Sequence, residues 1–262
     1  MKKTATLLII SLMALCAQAQ DLYIGSYYIT SSTEESSHGD GKDKWANRVT
    51  IIRDLFNFEK PDVLAVQSLS SSECAQLDKL LTNHLAAGDI LYHKNLQLDT
   101  CGVVDGLPEG NTCSWAKLRK GEQAFYVFNM CMTTSVDVIT ESAVHIRTAT
   151  GEINTEKLPC FVVGYLGADE NSRAYPKLTA KFNDCYTAAP VVSAELGTVN
   201  DFDLNANHGT SRYDFVFAPK TARVIAYGQL QYGYFTKESN GSYKHRLPST
   251  HFPVMAKVAF QK

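Results

Sequence analysis

Apolar positions recur along the chain at two spacings, one typical of strands and the other of helices. Residues 21–30 (DLYIGSYYIT) are rich in β-branched and aromatic side chains and predict a strand. The next apolar stripe has helical spacing and consists of Trp45, Val49, Ile52, Leu55 and Phe56. A short buried strand is predicted over 62–67 (DVLAVQ), and Ser70 or Ser71 is a candidate cap for a second helix that ends near Asn83.

The second half of the chain continues this alternation. Strands are predicted over 125–132, 160–166, 213–217, 222–234 and 251–260, and short helices over 136–147 and 175–182. No internal repeat or low-complexity linker divides the chain. Alternating elements in an undivided chain predict a layered α/β fold, with residues 20–262 as a single domain.

The first residues have the pattern of a secretory signal peptide. Lys2 and Lys3 precede an apolar run over about 7–15, and Ala17-Gln18-Ala19 supplies the small residues after which a signal peptidase cuts. We therefore expect residues 1–19 to be removed and the protein to be exported to the periplasm or beyond. The apolar run is shorter than the roughly 20 residues of a spanning helix, so no membrane span is expected after cleavage.

Charge and cysteine content narrow the function further. The 25 basic and 27 acidic residues give a formal net charge of −2, without the basic runs typical of nucleic-acid binders, so no nucleic-acid partner is expected. No cysteine spacing matches a structural zinc site. Cys101 and Cys113 flank a loop containing glycine and proline and are the best disulfide candidate among several pairings that stay open. Cys131 and Cys160 lie inside apolar runs that favour buried thiols.

The order of several segments along the chain resembles a known superfamily. These segments include GDGKDKWANRVTIIRDLFNFEKPDVLAVQSL, CSWAKL, FYVFNMCM, VVGYLGADENSRAYPKL, GTVNDFD, RYDFVFAP and STHFPVMAKV. In this order they resemble the endonuclease/exonuclease/phosphatase superfamily, and within it the exported bacterial members. The resemblance implies a four-layer sandwich, in which two mixed β-sheets pack face to face with helices outside.

Active members of that family hold Mg²⁺ with carboxylates and activate water with a histidine that an aspartate orients. The first three metal- or phosphate-binding positions are altered here. Tyr28 stands where the resemblance implies an asparagine near the metal, and Ser68 where it implies the principal metal-binding glutamate. Cys131 stands where a histidine would contact the phosphate. Hard cations prefer charged oxygen ligands, so Ser68 alone predicts greatly weakened Mg²⁺ binding.

The remaining positions are divided between altered and retained residues. Tyr165 and Gly167 replace the aspartate and asparagine implied for positioning water and phosphate, and Thr250 replaces an aspartate implied as a metal ligand. His251 and Asp214 match the family's histidine and its orienting aspartate.

The retained residues form what we call the relic site, namely His251, Asp214 and the nearby Arg212. A buried hydrogen-bonded pair that joins two C-terminal strands is the favoured interpretation of His251 and Asp214, ahead of retained chemistry. Arg212 is expected to pair with a nearby carboxylate.

Three functions follow as hypotheses. The leading one is a non-catalytic binding or interaction protein without a metal cofactor, whose ligand or partner the residues do not name. The second is an active Mg²⁺-dependent phosphodiesterase or phosphomonoesterase with a rebuilt site, which requires Asp201, Asp203 or Glu170 to converge on His251. The favoured interpretation of Asp201 and Asp203 is a solvated loop. The favoured interpretation of Asp169 and Glu170 is that they are surface turn residues.

The third hypothesis is a hydrolase of another class in which Cys131 is the nucleophile and His251 the base. It requires the two side chains within hydrogen-bonding reach. A cysteine inside an apolar strand more often packs than reacts, so this hypothesis is the least favoured. The segment between Asn83 and Trp115 is also shorter than in active relatives, which predicts a reshaped or closed substrate face.

Overall fold

The computed structural model describes residues 20–34, 43–203 and 209–260. The predicted signal peptide lies outside these residues. Two mixed β-sheets form the centre of the molecule. The first contains β1 (Gln20–Tyr28), β2 (Val63–Gln67), β3 (His84–Ala87), β4 (Ile90–His93), β10 (Val192–Ser193), β12 (Arg223–Gln229) and β15 (Val254–Phe260). The second contains β5 (Leu96–Val103), β6 (Asn111–Lys120), β7 (Gln123–Met132), β8 (Cys160–Tyr165), β9 (Phe182–Asp184) and β11 (Asp214–Pro219).

Strand order places parallel pairs near the middle of each sheet. The first sheet has the order β10-β12-β15-β1-β2-β4-β3, and the second has the order β5-β6-β7-β8-β11-β9. β1 runs parallel to β2, and β7 runs parallel to β8. A separate hairpin is formed by β13 (Tyr234–Lys237) and β14 (Tyr243–Arg246). The carboxyl ends of the parallel strands therefore share one edge of each sheet, and this edge carries the relic site.

Helices cover the outer face of each sheet. They are α1 (Trp45–Glu59), α2 (Ser71–Leu80), α3 (Val136–Ile153), α4 (Tyr175–Thr179) and α5 (Cys185–Ala188). The predicted stripe of α1 is confirmed, because its residues are buried against the outer face of the first sheet. Ser70 caps α2 through a capping box with Glu73. α3 and α4 pack their apolar residues against the second sheet. The four-layer sandwich predicted from the sequence is confirmed.

The core between the sheets is apolar and continuous. Its fully buried members include Ile24, Val63, Phe125, Val127, Phe161, Val163, Val216, Val254, Val258 and Phe260. These strands read as nearly unbroken apolar runs because β1, β7, β8, β11 and β15 are buried on both faces. Burial on both faces explains why the sequence pattern predicted them.

Four parts of the chain differ from the predicted elements. The predicted strand over 222–234 is interrupted, because β12 ends at Gln229 and Tyr234 begins the separate β13–β14 hairpin. α3 extends beyond the predicted helix to Ile153, and the predicted helix over 175–182 ends at Thr179, before β9. The segment between Asn83 and Trp115 contains strands that the pattern did not predict. β5 alternates poorly and is largely exposed at the edge of its sheet, so its apolar signal is weak.

The structure contradicts the predicted Cys101–Cys113 disulfide. Both thiols are free, and the register pairs Cys101 with Ala116 on β6. Cys113 lies three positions from Ala116, so its side chain points to the opposite face of the sheet. Cys113 is buried in the core beneath α3, whereas Cys101 is exposed. The short loop between the two cysteines therefore does not indicate a disulfide. It is the end of a β-hairpin, and the strand register keeps the two side chains apart.

None of the helices in the described part of the chain is both long and apolar enough to cross a membrane.

Candidate functional site

Five strands bring four of the altered positions and Asp214 together at one edge of the sandwich. The parallel register places Tyr28 opposite Gln67, which directly precedes Ser68. In the second sheet, Cys131 lies opposite Tyr165, and Tyr165 lies opposite Asp214. The topology therefore gathers residues that are far apart in sequence around one point.

His251 and Asp214 form a buried hydrogen bond at this point. The His251 Nδ1–H donates to Asp214 Oδ2 at 2.8 Å, and the two side chains are 8% and 0% exposed. A loop holds both residues, because the hydroxyl of Thr198 accepts the Asp214 backbone N–H and Val199 bridges to His251. The predicted proximity of His251 and Asp214 is thus present in the structure.

Two tyrosine rings enclose the imidazole of His251. The Tyr28 ring stacks on it with centroids 4.4 Å apart, and the Tyr165 ring meets it edge-on at 5.2 Å. The two tyrosines also contact each other at 4.9 Å. Burial raises the pKa of Tyr165 to about 12, and nearby Asp214 adds to the rise. Burial also raises the pKa of Tyr28, so both phenols stay neutral. Two aromatic rings thus stand where the resemblance implied an asparagine near the metal and an aspartate that positions water.

Glu34 is a site residue that the sequence analysis missed. The Tyr28 hydroxyl donates to Glu34 Oε1 at 2.8 Å, and the Ser68 hydroxyl donates to Glu34 Oε2 at 2.6 Å. The Ser31 backbone N–H also lies 3.3 Å from Oε2. Glu34 belongs to a polar loop rich in serine and glutamate, so no pattern distinguished it from its neighbours. A carboxylate from this loop therefore reaches the position next to Ser68.

Thr250 contacts a different cluster from His251, although the two are adjacent in sequence. Its hydroxyl lies 2.7 Å from the Thr30 hydroxyl, and its backbone N–H donates to the same Thr30 oxygen at 3.0 Å. Ser249 joins this cluster by accepting the Thr30 backbone N–H at 2.9 Å. Thr250 therefore ties the His251 loop to the end of β1.

Comparison with solved structures identifies the fold. The chain matches an endonuclease/exonuclease/phosphatase family protein of Bacteroides thetaiotaomicron with a TM-score of 0.83 at 21% identity, covering 93% of this chain and 99% of that one. The chain has the endonuclease/exonuclease/phosphatase fold. A mannosyl-6-phosphatase of the same species matches with a TM-score of 0.83 at 22% identity, covering 91% of this chain and 100% of that one.

A more distant structure shows the same fold. Humanized TDP2 of D. rerio matches with a TM-score of 0.67 at 16% identity, covering 91% of this chain and 98% of that one. No family model matches the sequence, and no curated protein matches it either. The solved structures therefore confirm the fold that the order of segments predicted.

Gly167, in the loop after β8, is fixed by the backbone. It has a φ of 68°, and a Cβ atom there would overlap the Met132 carbonyl oxygen. An asparagine would have to shift this backbone. Position 167 therefore favours glycine because the ends of β7 and β8 approach each other closely here.

Arg212 contacts an aspartate on β9 and a tyrosine on α5. Its guanidinium pairs with Asp184 at 2.7 Å and lies 4.1 Å from the centre of the Tyr186 ring. The predicted pairing of Arg212 with a carboxylate is confirmed. Its backbone N–H donates to Glu170 at 2.8 Å, so Glu170 serves the same local network. Within the relic site, Arg212 therefore contacts Asp184 and Glu170, whereas His251 contacts Asp214.

The other candidate carboxylates lie in loops and turns, and the Asp201 backbone N–H donates to the Thr250 carbonyl at 3.1 Å. Asp201 and Asp203 are exposed in the loop before the undescribed residues, and Asp169 accepts the Asn171 backbone N–H within a surface turn. Within the ranges that the structure describes, no three histidine, cysteine or acidic residues are grouped so that they could hold a metal ion. The rebuilt metal site required by the second hypothesis is thus not assembled by these residues.

Cys131 does not form the nucleophile arrangement of the third hypothesis. Burial raises the pKa of its thiol to about 12, although a backbone hydrogen bond from Ser68 acts in the opposite direction. Among the hydrogen bonds of the described residues, none joins Cys131 to His251, whose Nδ1 bonds Asp214 instead. The thiol therefore stays protonated and lacks a base.

Proposed function

We propose that this chain is a non-catalytic ligand-binding protein built on the phosphoesterase fold. The observation that carries the proposal is the enclosure of His251 by the rings of Tyr28 and Tyr165. Phosphoryl transfer depends on positioned water and on cations that stabilise the developing charge. Both rings lie where such groups would need access to the imidazole.

The charges near His251 also favour this proposal. Glu34 supplies a carboxylate beside Ser68, but hydrogen bonds from Tyr28 and Ser68 already occupy its two oxygens. A metal ion would have to displace these donors and would find neutral oxygens at Ser68 and Thr250. Mg²⁺ sheds water reluctantly for such ligands, so weak binding is expected.

A second candidate is an active metal-dependent phosphomonoesterase or phosphodiesterase. The intact hydrogen bond between His251 and Asp214 favours it, because this pair could still orient a base. The similarity to a mannosyl-6-phosphatase agrees with it in fold. Such an enzyme would need Mg²⁺ and a carboxylate set that the described residues do not assemble.

The test compares the mature protein with a variant that restores the family's ligands. The triple variant Tyr28→Asn/Ser68→Glu/Thr250→Asp should gain a rise in melting temperature with millimolar Mg²⁺ or Mn²⁺, whereas the parent should show none. An ion present at a hundredfold excess over Kd stabilises the native state by about 2.7 kcal/mol, which is easily measured. Ser72→Glu, on the exposed first turn of α2, is the matched control for an added carboxylate.

Turnover decides between the two candidates. The parent should hydrolyse neither phosphomonoesters nor phosphodiesters with either ion present. Metal-dependent turnover by the parent that disappears in His251→Ala would establish the second candidate. Export belongs to the same proposal, and a secreted or periplasmic product that begins at Gln20 would support it.

A further inference from the structure

The chain after β1 forms a strap, residues 29–34, that connects the relic site with α2. The Ile29 backbone N–H donates to the Gln67 carbonyl at the end of β2 at 3.1 Å. The Ser32 backbone N–H donates to Glu73 Oε1, in the first turn of α2, at 2.8 Å. The strap is therefore fixed to β2 and α2 through its own backbone.

Glu34 is the last residue of the strap and holds two hydroxyl groups at once. Tyr28 donates to one oxygen of its carboxylate at 2.8 Å, and Ser68 donates to the other at 2.6 Å. We call this three-residue contact the latch. All three side chains are only partly buried, so water could satisfy the same polar groups if the latch opened. Burial alone therefore does not require the latch, in contrast to the His251–Asp214 pair.

The Ser68 half of the latch is held in an unfavourable backbone conformation. Ser68 has a φ of 70°, in the left-handed region that residues with a Cβ atom rarely adopt. Residues held in this way cluster at ligand clamps and switch regions, where surrounding contacts keep them in place. The hydrogen bond from Ser68 to Glu34 is one such contact.

The latch fixes the aromatic ring that covers His251. The Tyr28 ring stacks on the imidazole with centroids 4.4 Å apart, and its hydroxyl group is held by Glu34. Asp214 bonds Nδ1 of the imidazole, whereas Nε2 has no hydrogen-bond partner among the described residues. Nε2 is not one of their fully buried unpaired atoms, so it keeps contact with solvent. The exposure of Nε2 therefore depends on the position of the Tyr28 ring.

We infer that Glu34 latches the strap over the relic site and thereby keeps Tyr28 closed over His251. The inference rests on the proposed binding function and adds a means of regulating access to the site. Release of the latch lets the Tyr28 side chain rotate away from the imidazole while the backbone anchors of the strap stay in place. A ligand of Nε2 must then bind the small fraction of open molecules, which lowers its apparent affinity by that fraction.

Carbethoxylation of His251 by diethyl pyrocarbonate, followed by mass mapping of the modified peptides, tests this inference on the folded protein. Glu34→Ala removes both halves of the latch and should raise the modification rate of His251 by about tenfold. This factor corresponds to about 1.4 kcal/mol of free energy that holds the site closed. Tyr28→Phe keeps the stacked ring but removes its hydroxyl group, so it should raise the same rate by a smaller factor.

Two controls separate release of the latch from a general loss of structure. Glu59→Ala removes a matched contact, because Tyr23, on the same strand as Tyr28, donates its hydroxyl group to Glu59 at 2.8 Å. The modification rate of His251 in Glu59→Ala should equal that of the parent. His84 is 2% exposed, so its modification reports unfolding and should stay unchanged in every variant.

Either of two results would overturn the inference. The first is an unchanged rate at His251 in Glu34→Ala, or in Tyr28→Phe should the first variant not fold. The second is a rise that is equalled in Glu59→Ala or at His84, which would indicate loosening of the whole fold. Metal-dependent phosphate hydrolysis would instead overturn the proposed function whatever the modification rates are, so the two failures are distinguishable.

Discussion

Replacing His251 by alanine should destabilise the protein substantially. The substitution removes the hydrogen bond to Asp214, whose carboxylate is completely buried and whose Oδ1 has no partner among the described residues. It also removes the ring that Tyr28 and Tyr165 contact. The perturbation therefore affects both polar and aromatic contacts at the centre of the relic site.

The magnitude follows from these contacts. A hydrogen bond to a charged group contributes about 1.5–3 kcal/mol, and an aromatic pair adds about 0.5–1.5 kcal/mol. Partial relaxation of Tyr28 and Tyr165 into the vacated space recovers some of this loss. We expect His251→Ala to lower the free energy of unfolding by about 3 kcal/mol.

Equilibrium denaturation with guanidinium chloride, followed by circular dichroism, measures this loss. A double-mutant cycle with Asp214→Ala isolates the pairwise term, which should be about 1.5–3 kcal/mol. A His251→Ala variant as stable as the parent would refute the reasoning. That result would mean that His251 is kept at no benefit to stability, as residues retained for catalysis often are.

The remaining predictions concern His84, Gly167 and the cysteines. Burial lowers the pKa of His84, so the unfolded state binds more protons than the folded state. The free energy of unfolding should therefore be highest above about pH 6.5 and should fall as the pH drops below that value. Melting temperatures measured over a pH series should show a smaller fall in His84→Gln. Gly167→Ala should lower the free energy of unfolding by more than about 1 kcal/mol, as measured by chemical denaturation. Gly121→Ala, also at positive φ but in open space, should lower it by only about 1 kcal/mol. Exposed Cys101 should be alkylated in the native protein and buried Cys113 only after unfolding; mass mapping that finds them joined would contradict the observed register.

The parts of the fold that were predictable are those whose burial leaves a strong pattern. β7 and β8 are buried on both faces, so their sequences are apolar at nearly every position. α1 has a stripe at helical spacing because one face packs on the first sheet. β5 lies at a sheet edge with most residues exposed, and its polar sequence resembled a loop.

The site was predictable only as a set of positions. The order of segments located Tyr28, Ser68, Cys131 and Tyr165, and the register brings them to one edge. The contacts that these side chains make with one another could not be predicted from the sequence. The aromatic enclosure of His251 and the approach of Glu34 depend on rotamers and on a loop path that no local pattern encodes.

Under the proposed function, the His251–Asp214 pair is accounted for by its burial. Ser68 and Cys131 line an open groove, where a changed side chain is accommodated at low cost. Asp214 is fully buried, so removing His251 alone leaves a carboxylate without its partner. Breaking one member of a buried pair typically costs several kcal/mol, whereas removing both together can be nearly neutral. A buried pair is therefore retained even where the groups around it have changed. Its presence can be explained by the stability lost when one member is removed as well as by a catalytic role.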